Sequence, residues 1–111
     1  MEIKRGEVVM VAAPGDYGKP RPAVILQSDL VNDFYSSVIV CLITTADAKR
    51  PFSRVQVRPS AQNGLKRLSY LMVDKLMTVP REKLRGPIGR LDDKTMMLLN
   101  RSLIVMLGLT S

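Results

Sequence analysis

The stretch RPAVIL at Arg21–Leu26, together with VIVCLITT at Val38–Thr45, decides the fold. Both runs are short, rich in β-branched residues and bounded by polar or turn-forming residues, which is typical of buried strands. One strand begins just after Arg21, and the other ends at Thr44. If the two strands are antiparallel neighbours, these two side chains meet at one rim of the sheet. A guanidinium beside a hydroxyl is suited to holding a phosphate group, so this rim is a candidate anion site.

Further strands are expected on both sides of this pair, and a loop rich in Gly and Pro at residues 14–20 joins the first two strands. The pattern predicts four strands at Glu7–Ala13, Pro22–Gln27, Ser36–Thr44 and Arg54–Val57. A fifth strand is predicted from Ser69 to Val73, continuing towards Leu76. A helical turn at Pro80–Leu84 and a short edge strand at Arg85–Arg90 are expected to follow. No repeat interrupts this order. We therefore expect residues 1–111 to form a single domain.

A terminal helix is the clearest element of the sequence. Asp92 or Asp93 can cap its first turn, and Gly108 can end it. An apolar stripe at helical spacing consists of Met96, Leu99, Leu103 and Leu107. Strands followed by one helix predict a mainly β fold, a small antiparallel sheet or partly open barrel on which the helix packs. Because the helix is apolar on more than one face, we expect it also to lie near a second surface such as a dimer mate.

The charge of the chain is concentrated in its middle. The net charge is +7, and residues 49–91 carry eleven Lys or Arg against two Asp or Glu, a balance of +9. A polyanion is the natural partner of such a segment, and nucleic acid is favoured over a membrane because no lipid-facing amphipathic helix lies there. The alternative is a solvated basic surface that an acidic protein neutralises.

Several site types are excluded by composition. The chain has no His and one Cys, so neither a His/Cys zinc site nor a Ser-His-Asp triad can form, and no carboxylate cluster suggests another metal site. The lone Cys41 cannot form an internal disulfide, which indicates a reducing, cytoplasmic setting. No apolar run is long enough to cross a membrane, and residues 1–6 lack the apolar stretch of a signal peptide.

An ordered set of motifs over nearly the whole chain resembles the MazF/PemK (Kid) toxins. The motifs are KRGEV at Lys4–Val8, RPAVIL at Arg21–Leu26, Ile43-Thr44, NGL at Asn63–Leu65, MVDKLMTV at Met72–Val79 and IGRLDD at Ile88–Asp93. The resemblance implies an SH3-like small barrel with a C-terminal helix, acting as a homodimer. It implies the toxin of a type II toxin–antitoxin system, a metal-independent endoribonuclease that cleaves single-stranded mRNA at a short sequence. It also implies inhibition by a cognate antitoxin, and no cofactor.

The same resemblance implies three catalytic positions. The arginine of the family motif falls on Arg21, its threonine on Thr44, and an acidic position that matters in some members on Asp74. Cleavage by the 2′-hydroxyl requires charge stabilisation at phosphorus, which the planar fork of Arg21 can supply, while Thr44 can donate to a phosphate oxygen. Asp74 could accept a proton or position the 2′-hydroxyl. Its ordinary structural alternative is a rim salt bridge to Lys75 or Arg67.

Candidate RNA-binding residues surround these positions. They are Lys19, Tyr17, Lys49, Arg50, Arg54 and Lys75. Tyr17 lies in an open loop and can stack on a base, whereas Tyr70 is expected in the core. The chain departs from the family in having a short loop before Arg21, and in having Lys75 and Met77 where many members have Gln and Arg.

Two other functions are compatible with this fold. One is a non-enzymatic toxin that binds gyrase, as CcdB does, but that relative relies on a Trp-Gly-Ile ending and this chain has no Trp. The other is a catalytically silent nucleic-acid-binding module, because fold does not determine function.

Overall fold

The computed structural model describes residues 2–12 and 19–110. The strands are β1 Glu7–Ala12, β2 Pro20–Ile25, β3 Ser37–Thr44, β4 Arg54–Val57, β5 Ser69–Pro80 and β6 Leu84–Arg90, followed by helix α1 Asp93–Leu107. Single helical turns lie at Asn32–Phe34 and Arg81–Lys83. Within the described residues the strands form one antiparallel sheet in the order β4-β5-β3-β2-β1-β6. The two apolar runs are antiparallel neighbours, which is the condition for Arg21 and Thr44 to meet at one rim. The predicted edge strand and the mainly β fold with a terminal helix are confirmed.

Strand β2 is shifted relative to the sequence prediction, since it begins at Pro20 and ends at Ile25 rather than running from Pro22 to Gln27. The early end has a local cause. The backbone N–H groups of Leu26 and Gln27 both donate to the carbonyl oxygen of Ile39, at 3.0 and 3.3 Å. Two donors on one acceptor interrupt the regular ladder, as in a β-bulge.

The sheet is buried on both faces, which explains why β2 and β3 are apolar without alternation. One core lies between the sheet and α1, and it includes Val8, Val24, Cys41, Leu71 and Leu99. The other core lies on the opposite face, and it includes Val9, Val11, Ala23, Ile25 and Val40. The residues of these strands therefore alternate between two cores rather than between a core and solvent.

Helix α1 begins and ends as the sequence predicts. The Asp92 side chain accepts a hydrogen bond from the Thr95 backbone N–H at 2.7 Å, and Gly108 ends the helix in the left-handed conformation. Leu99 and Leu103 are buried, whereas Leu107 of the same predicted stripe is 53% exposed. The helix thus packs on the sheet through its middle turns and leaves its last turn uncovered.

A large bulge divides β5 into two halves. Cys41 pairs with Leu76 and Ile43 pairs with Leu71, so the segment 72–75 faces the single residue Leu42. Extra residues on one strand bend it and redirect side chains, and such bulges are common beside active sites. Asp74 lies within this bulge, near the end of β3 that carries Thr44.

Candidate functional site

The registers of the sheet place several polar residues in one row at the rim. Ala23 pairs with Leu42 on the neighbouring strand, and continuing this register by two residues sets Arg21 opposite Thr44. Thr44 in turn pairs with Tyr70 of β5. Residues that face each other across adjacent strands point to the same side of a sheet, so these side chains share one surface.

Thr44 has its hydroxyl group fixed by the turn that follows β3. Its Oγ1 accepts a hydrogen bond from the Ala46 backbone N–H at 3.1 Å. A hydroxyl that accepts one bond keeps its own O–H as a donor. The side chain of Arg21, which follows the exposed start of β2, is also exposed. The rim therefore combines a cation with an oriented hydroxyl donor, as the sequence predicts.

An open basic depression of about 420 Å³ lies beside this row. It is lined by Asp47, Lys49, Arg50, Pro51, Arg54, Gln56 and Tyr70. Three of the six RNA-binding residues predicted from the sequence thus lie on one surface. Its mixture of cations, an amide and an aromatic ring is suited to a nucleotide, because such groups bind phosphates and stack on bases.

The sequence predicts Tyr70 in the core, but in the structure Tyr70 is half-buried and lines the depression. Its position on β5 directs it to the face of Thr44, whereas its neighbour Leu71 points into the core under α1. Partial burial and a hydrogen bond to the Asp47 carboxylate raise the pKa of Tyr70 above its ordinary value. The phenol therefore remains protonated at neutral pH, and its ring is held at the surface of the depression.

Asp74 is bound by two arginines. Arg50 Nη1 lies 2.6 Å from Asp74 Oδ2, while Arg54 Nε lies 3.2 Å from Oδ1 and Arg54 Nη2 donates to Oδ2 at 3.3 Å. The expected alternative partners, Lys75 and Arg67, are not the residues that hold the carboxylate in the described part of the chain. Burial would raise the pKa of Asp74, but the hydrogen bond from Arg50 and the charge of Arg54 outweigh it, and the pKa lies below its ordinary value. Asp74 is therefore ionised at neutral pH.

The remaining predicted binding residues differ in their placement. Lys75 is exposed next to Asp74 in the β5 bulge, and Lys19 is exposed just before β2. Arg54 is turned inward, with a side chain only 7% exposed, because its guanidinium group pairs with Asp74. Tyr17 lies outside the described residues.

The described residues hold no group of three or more His, Cys, Asp or Glu side chains arranged to bind a metal ion. Cys41 is buried, and burial raises the pKa of its thiol to about 12, so it has no thiolate for catalysis. Among residues 2–12 and 19–110, no helix is long and apolar enough to cross a membrane.

Comparison with known proteins connects this site to a family. The family model of the PemK-like, MazF-like toxins of type II toxin–antitoxin systems matches residues 4–107. A probable endoribonuclease MazF from Mycolicibacterium smegmatis is 42% identical over 108 residues, which is 96% of this chain and 98% of that protein. The Mycobacterium tuberculosis toxin MazF-mt6 has a similar structure, with a TM-score of 0.81 at 26% identity, over 95% of this chain and 99% of that one. A mycobacterial endoribonuclease solved in complex with its cognate antitoxin shares the fold with a TM-score of 0.85 at 24% identity, over 99% of both chains.

Proposed function

The chain belongs to the family of PemK-like, MazF-like toxins of type II toxin–antitoxin systems, and from this premise we propose that it is an endoribonuclease that cleaves single-stranded mRNA at a short sequence without a metal ion. Cleavage of mRNA would stop translation and growth, as expected of a toxin. The observation that supports the proposal most strongly is the 42% identity to a probable endoribonuclease over almost the full length of both proteins. The row that runs from Arg21 past Thr44 to Tyr70 supplies the matching chemistry.

The chemistry of RNA allows cleavage with no group other than protein side chains. The 2′-hydroxyl loses its proton to water and attacks the adjacent phosphorus, the bond to the 5′-oxygen breaks, and the 5′-oxygen takes up a proton from water. Negative charge builds up on the phosphoryl oxygens during this step. Arg21 stabilises this charge, because its planar fork can donate to two phosphate oxygens at once. Arg21 is a poor proton acceptor, since the pKa of a guanidinium exceeds about 12. The Thr44 hydroxyl donates a further hydrogen bond to a phosphate oxygen.

The basic depression lined by Lys49 and Arg50 guides the RNA strand past this rim. Lys19 and Lys75 are exposed as well. Basic grooves with aromatic side chains are typical of single-strand binders. The net charge of +7 increases the attraction to a polyanion. The cytoplasm, where mRNA is translated, is the expected location.

A cognate antitoxin and a second copy of the chain are the expected protein partners. A structural relative of this chain was solved with its antitoxin. The uncovered side of α1 favours a homodimer, because Met97, Val105 and Leu107 are each more than half exposed and apolar. Light scattering on the purified protein should give about twice the mass of 12.4 kDa. A monomer at all concentrations would contradict the dimer.

The test of the proposed activity is incubation of the purified protein with a long RNA in excess EDTA, followed by mapping of the new ends. We expect discrete cuts at one recurring short sequence. Intact RNA, from protein shown by circular dichroism to be folded and free of antitoxin, would contradict the proposal. That result would instead favour a gyrase-binding toxin or a silent nucleic-acid-binding module.

A further inference from the structure

Both oxygens of the Asp74 carboxylate lie next to arginine side chains, but only Oδ2 accepts hydrogen bonds from them. Arg50 contacts Oδ2, and Arg54 contacts Oδ1 and Oδ2. Oδ2 accepts hydrogen bonds from both arginines and Oδ1 is buried, so a 2′-hydroxyl could reach neither oxygen unless a neighbouring side chain moved away. A carboxylate whose pKa is held below its ordinary value is also a weak proton acceptor at neutral pH. The geometry therefore argues against Asp74 as the general base.

The turn before β4 brings the two arginines to the same side. The Arg54 backbone N–H donates to the Arg50 carbonyl oxygen at 3.1 Å, which closes a single turn of helical type. Residues four apart in such a turn lie on one face, so both guanidinium groups reach the same carboxylate. The spacing of Arg50 and Arg54 in the sequence is thus what allows one aspartate to bind both.

The residue before this turn is held in a conformation that L-residues rarely adopt. Lys49 has a φ of 53°, in the left-handed region, and Asp47 Oδ1 accepts its backbone N–H at 2.9 Å. Such a conformation costs roughly 1 to 2 kcal/mol in a residue other than glycine. Strained residues held by their neighbours are concentrated at binding and active sites. Arg50 follows Lys49 directly, and both residues line the depression.

The three charged groups form a series from the interior to the solvent. The exposed fraction of the side chain is 7% for Arg54, 18% for Asp74 and 56% for Arg50. Arg54 therefore holds Asp74 from the protein interior, Asp74 in turn holds Arg50, and Arg50 is the one of the three that is exposed enough to contact a ligand. A guanidinium has five N–H donors, so Arg50 can bind Asp74 and still donate to a phosphate.

We propose that Arg54 and Asp74 are positioning residues that hold Arg50 as a phosphate-binding side chain beside the scissile bond. The inference rests on the proposed function, because the phosphate belongs to the RNA that is cleaved. Asp74 acts through Arg50, and the proton of the 2′-hydroxyl passes to solvent water rather than to Asp74.

A double-mutant cycle between Arg50 and Asp74 tests this arrangement, with kcat/KM measured on one short RNA that contains the cleavage sequence. We expect Arg50→Ala and Asp74→Asn each to lower kcat/KM about tenfold, and the double variant to be no worse than either, because the two residues act as one unit. If the double variant instead loses kcat/KM by the product of the two single losses, the proposal is overturned. A fall in kcat of about a hundredfold or more on Asp74→Asn in both backgrounds would also overturn it, since that is the signature of a general base.

The salt dependence of binding gives a readout that a purely structural role would not change. Each phosphate contact on single-stranded nucleic acid contributes about 0.7 to the slope of log K against log salt concentration. We expect Arg50→Ala to reduce the slope by that amount and Arg50→Lys to restore it. Arg58→Ala is the matched control, because it removes the same charge from an exposed residue just after β4. An unchanged slope for Arg50→Ala would contradict phosphate binding.

Arg54 is tested by a variant that keeps its charge. Lysine keeps the charge in Arg54→Lys but cannot place two nitrogens against Asp74 as the guanidinium does, so we expect KM to rise about as much as in Arg50→Ala while kcat changes less. An unchanged KM in a folded Arg54→Lys variant would overturn the role of Arg54. If that variant does not fold, the double-mutant cycle between Arg50 and Asp74 tests the proposal instead. Wild-type protein that cuts no RNA would refute the proposed function itself. Wild-type protein that cuts RNA, with multiplying losses in the cycle, would refute only the positioning of Arg50.

Discussion

Arg21 at the start of β2 and Thr44 at the end of β3 lie opposite each other when the register of the two strands is continued by two residues. The relationship follows from antiparallel pairing, which brings the beginning of one strand to the end of its neighbour. Residues separated by 23 positions in the sequence thus share one rim. Their charge and hydroxyl group can both donate to phosphate oxygens, and such donation stabilises negative charge on a phosphodiester.

Removal of either group should abolish most of the cleavage while leaving the fold intact. We expect Arg21→Ala and Thr44→Val each to lower kcat by about 100-fold or more, because each removes a donor aimed at developing charge. Thr44→Ser keeps the hydroxyl and should retain most of the activity. The measurement is single-turnover cleavage of a short RNA, with circular dichroism as the control for folding. Wild-type rates in the alanine and valine variants would show that the site lies elsewhere.

Gly64 is predicted to be intolerant of any side chain. A Cβ at this position would lie 2.2 Å from the backbone oxygen of Ile88 in β6, and its φ of +73° is in the left-handed region. We expect Gly64→Ala to lower the free energy of unfolding by more than about 2 kcal/mol, measured by urea denaturation. Gly108→Ala is the control, because Gly108 has a similar φ of +66° but nothing within 4 Å of its Cβ. Equal losses in the two variants would contradict the steric account.

The cap of α1 should make stability depend on pH in acid. The hydrogen bond from the Thr95 N–H lowers the pKa of Asp92 below its ordinary value. A carboxyl with a lowered pKa in the folded state stabilises the fold at pH values above the pKa of the unfolded chain, and this contribution is lost as the pH falls through the folded pKa. We expect Asp92→Ala to cost about 1 kcal/mol at neutral pH.

Thermal unfolding of the wild type and of Asp92→Ala at several pH values between neutral and acid measures this effect. The difference between the two proteins should be full at neutral pH and should shrink as the pH falls below the ordinary pKa of aspartate. A difference that stays constant into strong acid would show that the carboxylate charge does not stabilise the helix end. Asp93→Ala serves as the matched control, because Asp93 lies in the same turn but does not accept the capping hydrogen bond.

Cys41 should be unreactive in the folded protein. It is fully buried in the core beneath α1, and burial raises the pKa of its thiol to about 12. Because the thiolate is the reactive species, we expect no alkylation by iodoacetamide at pH 8 over hours in buffer, and rapid alkylation in denaturant. Mass spectrometry of the intact chain measures both. Rapid alkylation under native conditions would mean that the strand carrying Cys41 opens readily.

The fold could be predicted largely from local patterns. Three of its signals are contained in neighbouring residues. They are the apolar runs of β2 and β3, the alternation of polar and apolar residues at Arg54–Val57, and the capping residues Asp92 and Gly108. The last residue of β2 could not be predicted in this way, because it depends on two N–H groups that share the carbonyl of a residue on another strand. The bulge in β5 likewise depends on how β3 pairs with it, which no local pattern records.

The candidate site was predictable in its residue types but not in its internal contacts. Arg50 and Asp74 are separated by 24 positions, and the sequence favours neighbours such as Lys75 as ion-pair partners instead. Only the turn before β4 and the bulge in β5, taken together, bring Arg50 to the carboxylate. The position of Tyr70 could not be predicted from local sequence either, since the face of the sheet that it occupies is set by its pairing with Thr44.

In the proposed reaction the RNA supplies its own nucleophile, the 2′-hydroxyl, and no metal ion takes part. The most direct measurement uses two short RNAs in excess EDTA, identical except for a 2′-deoxy substitution in the nucleotide just 5′ of the mapped cleavage site. We expect the unmodified RNA to be cut to give a 2′,3′-cyclic phosphate and a 5′-hydroxyl, and the substituted RNA to remain intact at that bond. Cleavage of the substituted RNA at the same bond, or cleavage that stops when EDTA is added, would contradict the proposed reaction.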